Sequence, residues 1–264
     1  MVAAEPTPET IAIVKSTVPI LRENLTEVIT RFYENLFSTY PELKKQFNMD
    51  RHRGGTVKEE NGIPKQVAAL GGAVISYAKN IDRVEALLPV VERISHKHVS
   101  RGVSAAQYDK IGECLLRAMK DILEEAITED IHNAWAEAYG FLASVFINME
   151  TKLTEELSEK AGYSGFVPMS VVGMETDEDG SKRLSLKSEE FGTPQHGPGQ
   201  YVAVVIEKEG LEPTMTSMAT VREDEENTLW IYVPDSQEES TRYLLDVVEL
   251  GSVIKVSVPC GKVK

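Results

Sequence analysis

His98 closes an apolar helical stripe. Leu87, Val91, Ile94 and His98 stand at i, i+4, i+7 and i+11, the spacing of a single helix face. Ser100, Arg101 and Gly102 break the pattern directly afterwards. The next helical stretch carries Tyr108, and the last long one carries Glu150 after Leu142 and Phe146 at helical spacing. An imidazole at the inner end of a helix, with an acid and a phenol behind it, suits an axial haem ligand. Iron takes one ring nitrogen, and the other donates to a group that fixes the tautomer. The same residues also suit a core histidine satisfied by hydrogen bonds, and spacing alone leaves both readings open. His96 lies two positions earlier, about 200° round the helix, and reads as exposed. His52, His132 and His196 share no ligand spacing, so no separate metal site is expected.

These residues need helices to place them, and the periodicity up to about residue 158 is helical. Thr7-Pro8-Glu9 reads as a cap, a first-turn proline and an acid at the positive helix end. Ile11, Val14, Val18 and Leu21 continue that helix. Leu25, Val28, Ile29, Phe32, Leu36 and Phe37 make a broad stripe that ends at Tyr40-Pro41. Glu42 to Phe47 has room for only a turn or two. Asn48 to Ile63 reads as a long polar loop. Pro64 opens a helix with Val67, Leu70, Val74, Ala78 and Ile81 inward, and the His98 helix follows. Ala105 to Ile127 is next, and Thr128 caps a last long helix through Trp135, Leu142, Phe146 and Leu153. Six long helices without strand signal predict an all-α domain over residues 1–158.

After Ala161-Gly162-Tyr163-Ser164-Gly165 the pattern changes to short β-branched runs separated by turns. The runs are Val167 to Met174, Arg183 to Lys187, Tyr201 to Glu207, Thr228 to Val233 and Ser252 to Val258. The turn Asp177-Glu178-Asp179-Gly180 separates the first two. Ser240 to Val247 reads as one helix plugging an end. A small antiparallel β-barrel over residues 159–264 is the natural solution, because closure hides the strand edges.

The chain has 264 residues, of which 28 are basic and 42 acidic, for a net charge of −14. That balance disfavours nucleic acid and anionic membrane surfaces as partners, since both require concentrated positive charge. No apolar run reaches the roughly 18 residues that span a bilayer. The N-terminal MVAAEPTPET shows no secretory pattern. Cys114 and Cys260 lie far apart and fit unpaired thiols in a reducing, cytoplasmic compartment.

Several blocks in order carry a family resemblance. They are Thr17-Val-Pro-Ile-Leu21, Phe32-Tyr-Glu-Asn-Leu-Phe37, Ala86-Leu-Leu-Pro-Val-Val91, Lys97-His98, Asp130-Ile131 and Ala134-Trp-Ala-Glu-Ala-Tyr-Gly140. From Thr10 to Glu150 the chain resembles the bacterial haemoglobins and the globin domain of the flavohaemoglobins. The resemblance implies a globin fold and His98 as the proximal haem ligand. It places the residues that orient that ligand at Tyr108 and Glu150, and the distal set at Tyr33, Gln66 and Leu70. The ring that wedges against the haem falls at Phe47. With no C-x-x-C-H motif, one non-covalent haem b per chain is expected. A Glu150 carboxylate accepting from His98 and from the Tyr108 hydroxyl would push electron density to the iron. Tyr33 would donate to a bound diatomic ligand such as O2, NO or CO. The segment between Phe47 and Gln66 is longer than the family leads one to expect and contains Arg51, His52, Arg53 and Lys58. It reads as an exposed loop, with a lid or a basic patch for propionates or a reductase as the functional alternative.

In the second half, His196-Gly-Pro-Gly-Gln-Tyr-Val202 and the stretch from Gly251 to Gly261 resemble the ferredoxin-reductase-like flavin barrel that follows the globin in flavohaemoglobins. The family grips flavin with Arg-x-Tyr-Ser. The matching stretch here is Thr214-Met215-Thr216-Ser217, in which only the serine survives. Ser236-Gln-Glu-Glu-Ser240 stands where a phosphate-facing turn is expected, and its acids repel a pyrophosphate. No G-x-G-x-x-G occurs before Lys264. The barrel therefore implies a fold and not bound FAD, and no NAD(P)H is expected. Two functions remain open. One is an oxidoreductase converting NO and O2 to nitrate with electrons from a separate flavin reductase. The other is a non-enzymatic O2- or NO-binding or sensing globin whose barrel is an interaction module. A decaying gene product is a third reading.

Overall fold

A computed structural model describes residues 3–49, 63–207, 214–221 and 228–262. The chain gathers into two compact units, neither continuous in sequence. One holds Met1–Leu43, Arg51–Glu92 and Ser104–Met149. The other holds Lys44–Asp50, Arg93–Val103 and Glu150–Lys264.

The first unit is helical. It begins with α1 (Pro8–Ser16) and α2 (Val18–Glu23). Thr7 caps α1 as expected, its hydroxyl accepting from Thr10 N–H at 3.1 Å. The single helix expected up to Leu21 is instead interrupted at Thr17. Pro19 lies in the first turn of α2 and cannot donate back into a continuous helix. The Thr17 hydroxyl donates to Val14 O at 2.7 Å and accepts from Trp135 Nε1 at 3.0 Å, so the break is tied into the core.

The helices α3 (Leu25–Thr39) and α4 (Lys65–Asn80) follow, and then α5 (Leu88–Ser100), α6 (Ala105–Leu123) and α7 (Glu129–Ala161). Short 3-10 turns at Pro41–Gln46, Val84–Leu87 and Glu124–Ala126 punctuate them. Leu21, Ile29, Leu36 and Met119 are fully buried. Each such side chain contributes about 1.5–3 kcal/mol of transfer free energy. The expected Thr128 cap is present, accepting from Ile131 N–H at 3.3 Å. The long polar loop expected before Pro64 lies mostly outside the described residues.

The second unit is a closed antiparallel barrel with three helical segments: the end of α5, the end of α7 and α8 (Glu239–Asp246). Its strands are β1 (Phe166–Thr176), β2 (Lys182–Lys187), β3 (Tyr201–Ile206), β4 (Thr214–Val221), β5 (Leu229–Val233) and β6 (Val253–Ser257). Their order round the barrel is β1-β2-β5-β4-β3-β6, and β6 closes on β1. Five strands were expected and are present. β4 is the addition, formed by the stretch read as a degenerate flavin motif. Leu184, Leu186, Val204, Ile206, Ile231 and Val256 are fully buried and make the core. The β1–β2 turn is the expected one. Gly180 sits at φ 83°, the left-handed region a glycine enters without strain, and donates to Asp177 O at 3.0 Å. α8 packs against β4 and β5 with Leu244 and Leu245 buried. Among the described residues no helix is long and apolar enough to cross a membrane.

Candidate haem site

α5 ends where the sequence pattern breaks. Arg101 N–H and Val103 N–H both donate to His98 O, at 3.0 and 3.1 Å, and Gly102 takes the left-handed φ of 66° that reverses the chain. This seats His98 in the last turn. Its Nδ1 lies 2.7 Å from Glu150 Oε1, on α7. Glu150 is 6% exposed, whereas the His98 side chain is about a third exposed at 32%. A carboxylate only accepts, so Nδ1 carries the proton and the Nε2 lone pair is the one available to a metal. A buried carboxylate without a donor costs several kcal/mol, and the imidazole supplies that donor.

Contrary to the helical-wheel expectation, His96 is buried, at 7% exposure. Its Nδ1 accepts from Gly261 N–H at 3.1 Å. The last turns of α5 are packed on two sides within their unit, by α7 through His98 and by the barrel through His96. A rule that assumes one buried face therefore fails here.

The distal candidates are a separate group. Tyr33 on α3 is 7% exposed, edge-on to Phe32 at 4.9 Å and stacked on Phe37 at 5.7 Å. It shares a hydrogen bond with Gln66 on α4. Burial holds its phenol well above the ordinary range, against the smaller opposite pull of the Gln66 bond, so it remains a neutral donor. Leu70 stands one helical turn beyond Gln66 and is half-buried.

Tyr108 on α6 is buried, with its ring stacked on Phe146 of α7 at 6.2 Å. Tyr139 holds this helix in place by donating to Tyr108 O at 2.6 Å. Gly112 makes that possible, because a Cβ there would lie 2.4 Å from the Tyr139 ring. A glycine inside a strongly periodic helix was the sequence signal for this close approach.

Phe47 is half-buried, and its carbonyl accepts from Thr214 Oγ1 at 2.6 Å and Met215 N–H at 3.2 Å. Around it lies a polar cluster that the sequence reading missed. Lys97 Nζ donates to Ser217 Oγ at 2.5 Å and sits 4.8 Å over the Tyr201 ring. Arg101, 8% exposed, donates to Met215 O, to Ser217 Oγ at 3.2 Å and to Gln46 O at 3.4 Å. Two cations four residues apart at the end of the His98 helix were the available signal.

The globin family model matches residues 30–146. A flavohemoprotein of Bacillus anthracis is 38% identical over 96% of this chain, and one of Bacillus subtilis is 32% identical over the same share. A bacterial globin from Campylobacter jejuni is 36% identical, with a TM-score of 0.50, and the match covers 56% of this chain and 99% of that one. The chain belongs to the bacterial haemoglobin and flavohaemoglobin family. It spans 62% of the length of the two Bacillus flavohemoproteins. The flavohaemoglobin of Malassezia yamatoensis, solved with bound FAD and heme, shares the fold at a TM-score of 0.82 and 19% identity, over 98% of this chain and 65% of that one. The architecture is thus that of a flavohaemoglobin: a globin fold followed by a six-stranded antiparallel barrel.

Proposed function

We propose that this globin holds one haem b with His98 Nε2 as axial ligand, and that it removes NO as nitrate with electrons from a separate flavin reductase. The His98–Glu150 pair at 2.7 Å carries the reading. The donor set suits the group: an imidazole whose Nε2 is directed by the bond of its Nδ1 to a buried carboxylate. When bound, haem supplies a metal that takes O2 or NO and exchanges electrons. The chain's own residues do the rest. Glu150 accepts from His98 Nδ1 and raises the basicity of the ligating nitrogen. The family resemblance assigns Tyr108 a supporting role toward the axial histidine. Tyr33, held by Gln66, would offer a neutral hydroxyl donor to a diatomic ligand. The family resemblance assigns apolar roles to Leu70 and to Phe47. Residues 1–158 form the haem-holding domain and 159–264 the barrel, in a cytoplasmic protein.

The NO reading draws on relatives. The engineered carbene transferase RmaNOD of Rhodothermus marinus, a proposed nitric oxide dioxygenase, is 30% identical over 58% of this chain, at a TM-score of 0.50. The need for a separate reductase follows from β4. A flavin dinucleotide brings two phosphate charges that require a guanidinium or oriented N–H groups. Thr214 stands where the family motif has arginine, and Thr216 offers no aromatic face. The same observation favours a second reading, an O2- or NO-binding or sensing globin without turnover. An absorption spectrum with and without dithionite and CO tests the haem and reveals any flavin. The purified chain with NADH alone should consume NO for about one turnover, and added flavin reductase should restore turnover. Sustained consumption without the reductase would mean that the barrel binds flavin.

A further inference from the structure

We propose that Thr214 and Ser217 of β4 are positioning residues for the haem site, resting on the reading that His98 ligates haem. Thr214 bonds the backbone of Phe47 directly, and Ser217 reaches His98 through its neighbour Lys97. Thr214 Oγ1 donates to Phe47 O at 2.6 Å and accepts from Met49 N–H at 3.0 Å, and Met215 N–H adds a third tie at 3.2 Å. The backbone carrying the Phe47 ring is therefore an extra rung on a barrel strand. Ser217 Oγ accepts from Lys97, the residue before His98, and from Arg101, three residues after it. Arg101 also donates to Met215 O on the same strand.

The Phe47 and His98 segments are further joined to each other. Gln46 Nε2 donates to Gly102 O at 2.9 Å, and Arg101 donates to Gln46 O at 3.4 Å. Three pieces of chain thus close a ring of hydrogen bonds, with β4 as the member both others share. A buried guanidinium and a partly buried ammonium give these bonds charge-assisted strength in a low-dielectric setting. The position and tilt of the last turn of α5 are set from one side by Glu150 on the His98 ring and from the other by β4. The stretch that resembles a flavin-gripping motif serves here to fix the seat of the axial histidine.

The full haem-loaded chain tests this with Ser217→Ala and Thr214→Val, alongside the hydroxyl-keeping Ser217→Thr and Thr214→Ser. Two readouts are compared. One is the iron–histidine stretching band in resonance Raman spectra of the ferrous protein. The other is amide hydrogen exchange of residues 44–49 and 93–103. Ser217→Ala should shift or broaden the band and speed exchange at 97–103 by on the order of tenfold, the loss of one net hydrogen bond. Thr214→Val should speed exchange at 44–49 and accelerate haem loss. The hydroxyl-keeping variants should restore both. If Ser217→Ala does not fold, Lys97→Gln interrogates the same contact. Faster exchange with an unmoved band and unchanged haem retention would overturn the proposal, leaving β4 a purely structural strand. Absence of the band from the unmodified protein would remove the haem reading itself, and this proposal with it.

Discussion

The helices and the barrel use their polar side chains differently. On the helices, residue types placed by the family resemblance meet the partners that chemistry requires: His98 meets Glu150, and Tyr33 meets Gln66. In the barrel, the stretch at the position of the flavin motif lies in β4. Its Thr214 and Ser217 are bonded to Phe47, Lys97 and Arg101 of the same chain. A globin site tolerates little change, because one lone pair and one donor must sit at set points. A barrel core needs only apolar side chains at alternating positions, so its outward polar groups are free to be reassigned.

The contrast is sharpest at His98. His98→Ala should abolish haem retention or leave the haem loosely held, read as loss of the Soret band on gel filtration. An unchanged ferrous–CO spectrum would break the comparison at its helical end. Tyr33→Phe should come next. Loss of a hydrogen bond to a partly charged ligand is worth about 1.5–3 kcal/mol, or roughly ten- to a hundredfold faster O2 release. CO release should change much less, since bound CO carries little negative charge. Equal effects on both gases in stopped flow would remove the polar role of Tyr33.

Gly112→Ala measures how tightly the helices enforce their geometry. The new methyl would meet the Tyr139 ring at 2.4 Å. The expected cost is about 1–3 kcal/mol in urea unfolding, as for overpacked cores. A neutral result would mean that Tyr139 moves aside and does not hold Tyr108.

The smallest effect concerns the barrel and pH. Burial pushes the Cys260 thiol up from 9.0 to about 12, and burial raises the Tyr163 and Tyr201 phenols as well. The folded barrel therefore keeps protons that the unfolded chain gives up. Stability from this source is fully present below about pH 9 and is lost as pH rises towards about 12. Urea midpoints should fall across that window, and Cys260→Ala should flatten the slope slightly. A midpoint independent of pH there would show these groups to be exposed.

The helical order was legible because the 3.6-residue period persists over many turns, and the caps at Thr7 and Thr128 were visible as residue types. Tyr33, Gln66, His98 and Glu150 could be named from the resemblance, since the family blocks occur in order. β4 escaped because Thr214 to Val221 mixes threonine, serine and methionine without clean alternation, and its strand character depends on pairing with β3 and β5. His96 escaped because helix periodicity counts one buried face, while α5 ends between two neighbours.

The amino-acid sequence alone determined the helical-then-strand fold class, because that depends on local period, and the family resemblance supplied the expected ligand set and the departure from the flavin motif. Only the tertiary structure decided that Glu150 reaches the His98 ring, that Lys97 and Arg101 turn toward β4, and that Phe47 hangs from Thr214. Those pairings span up to 167 positions of sequence. Such contacts arise from long-range packing that places distant segments within about 3 Å of one another, which no local pattern encodes.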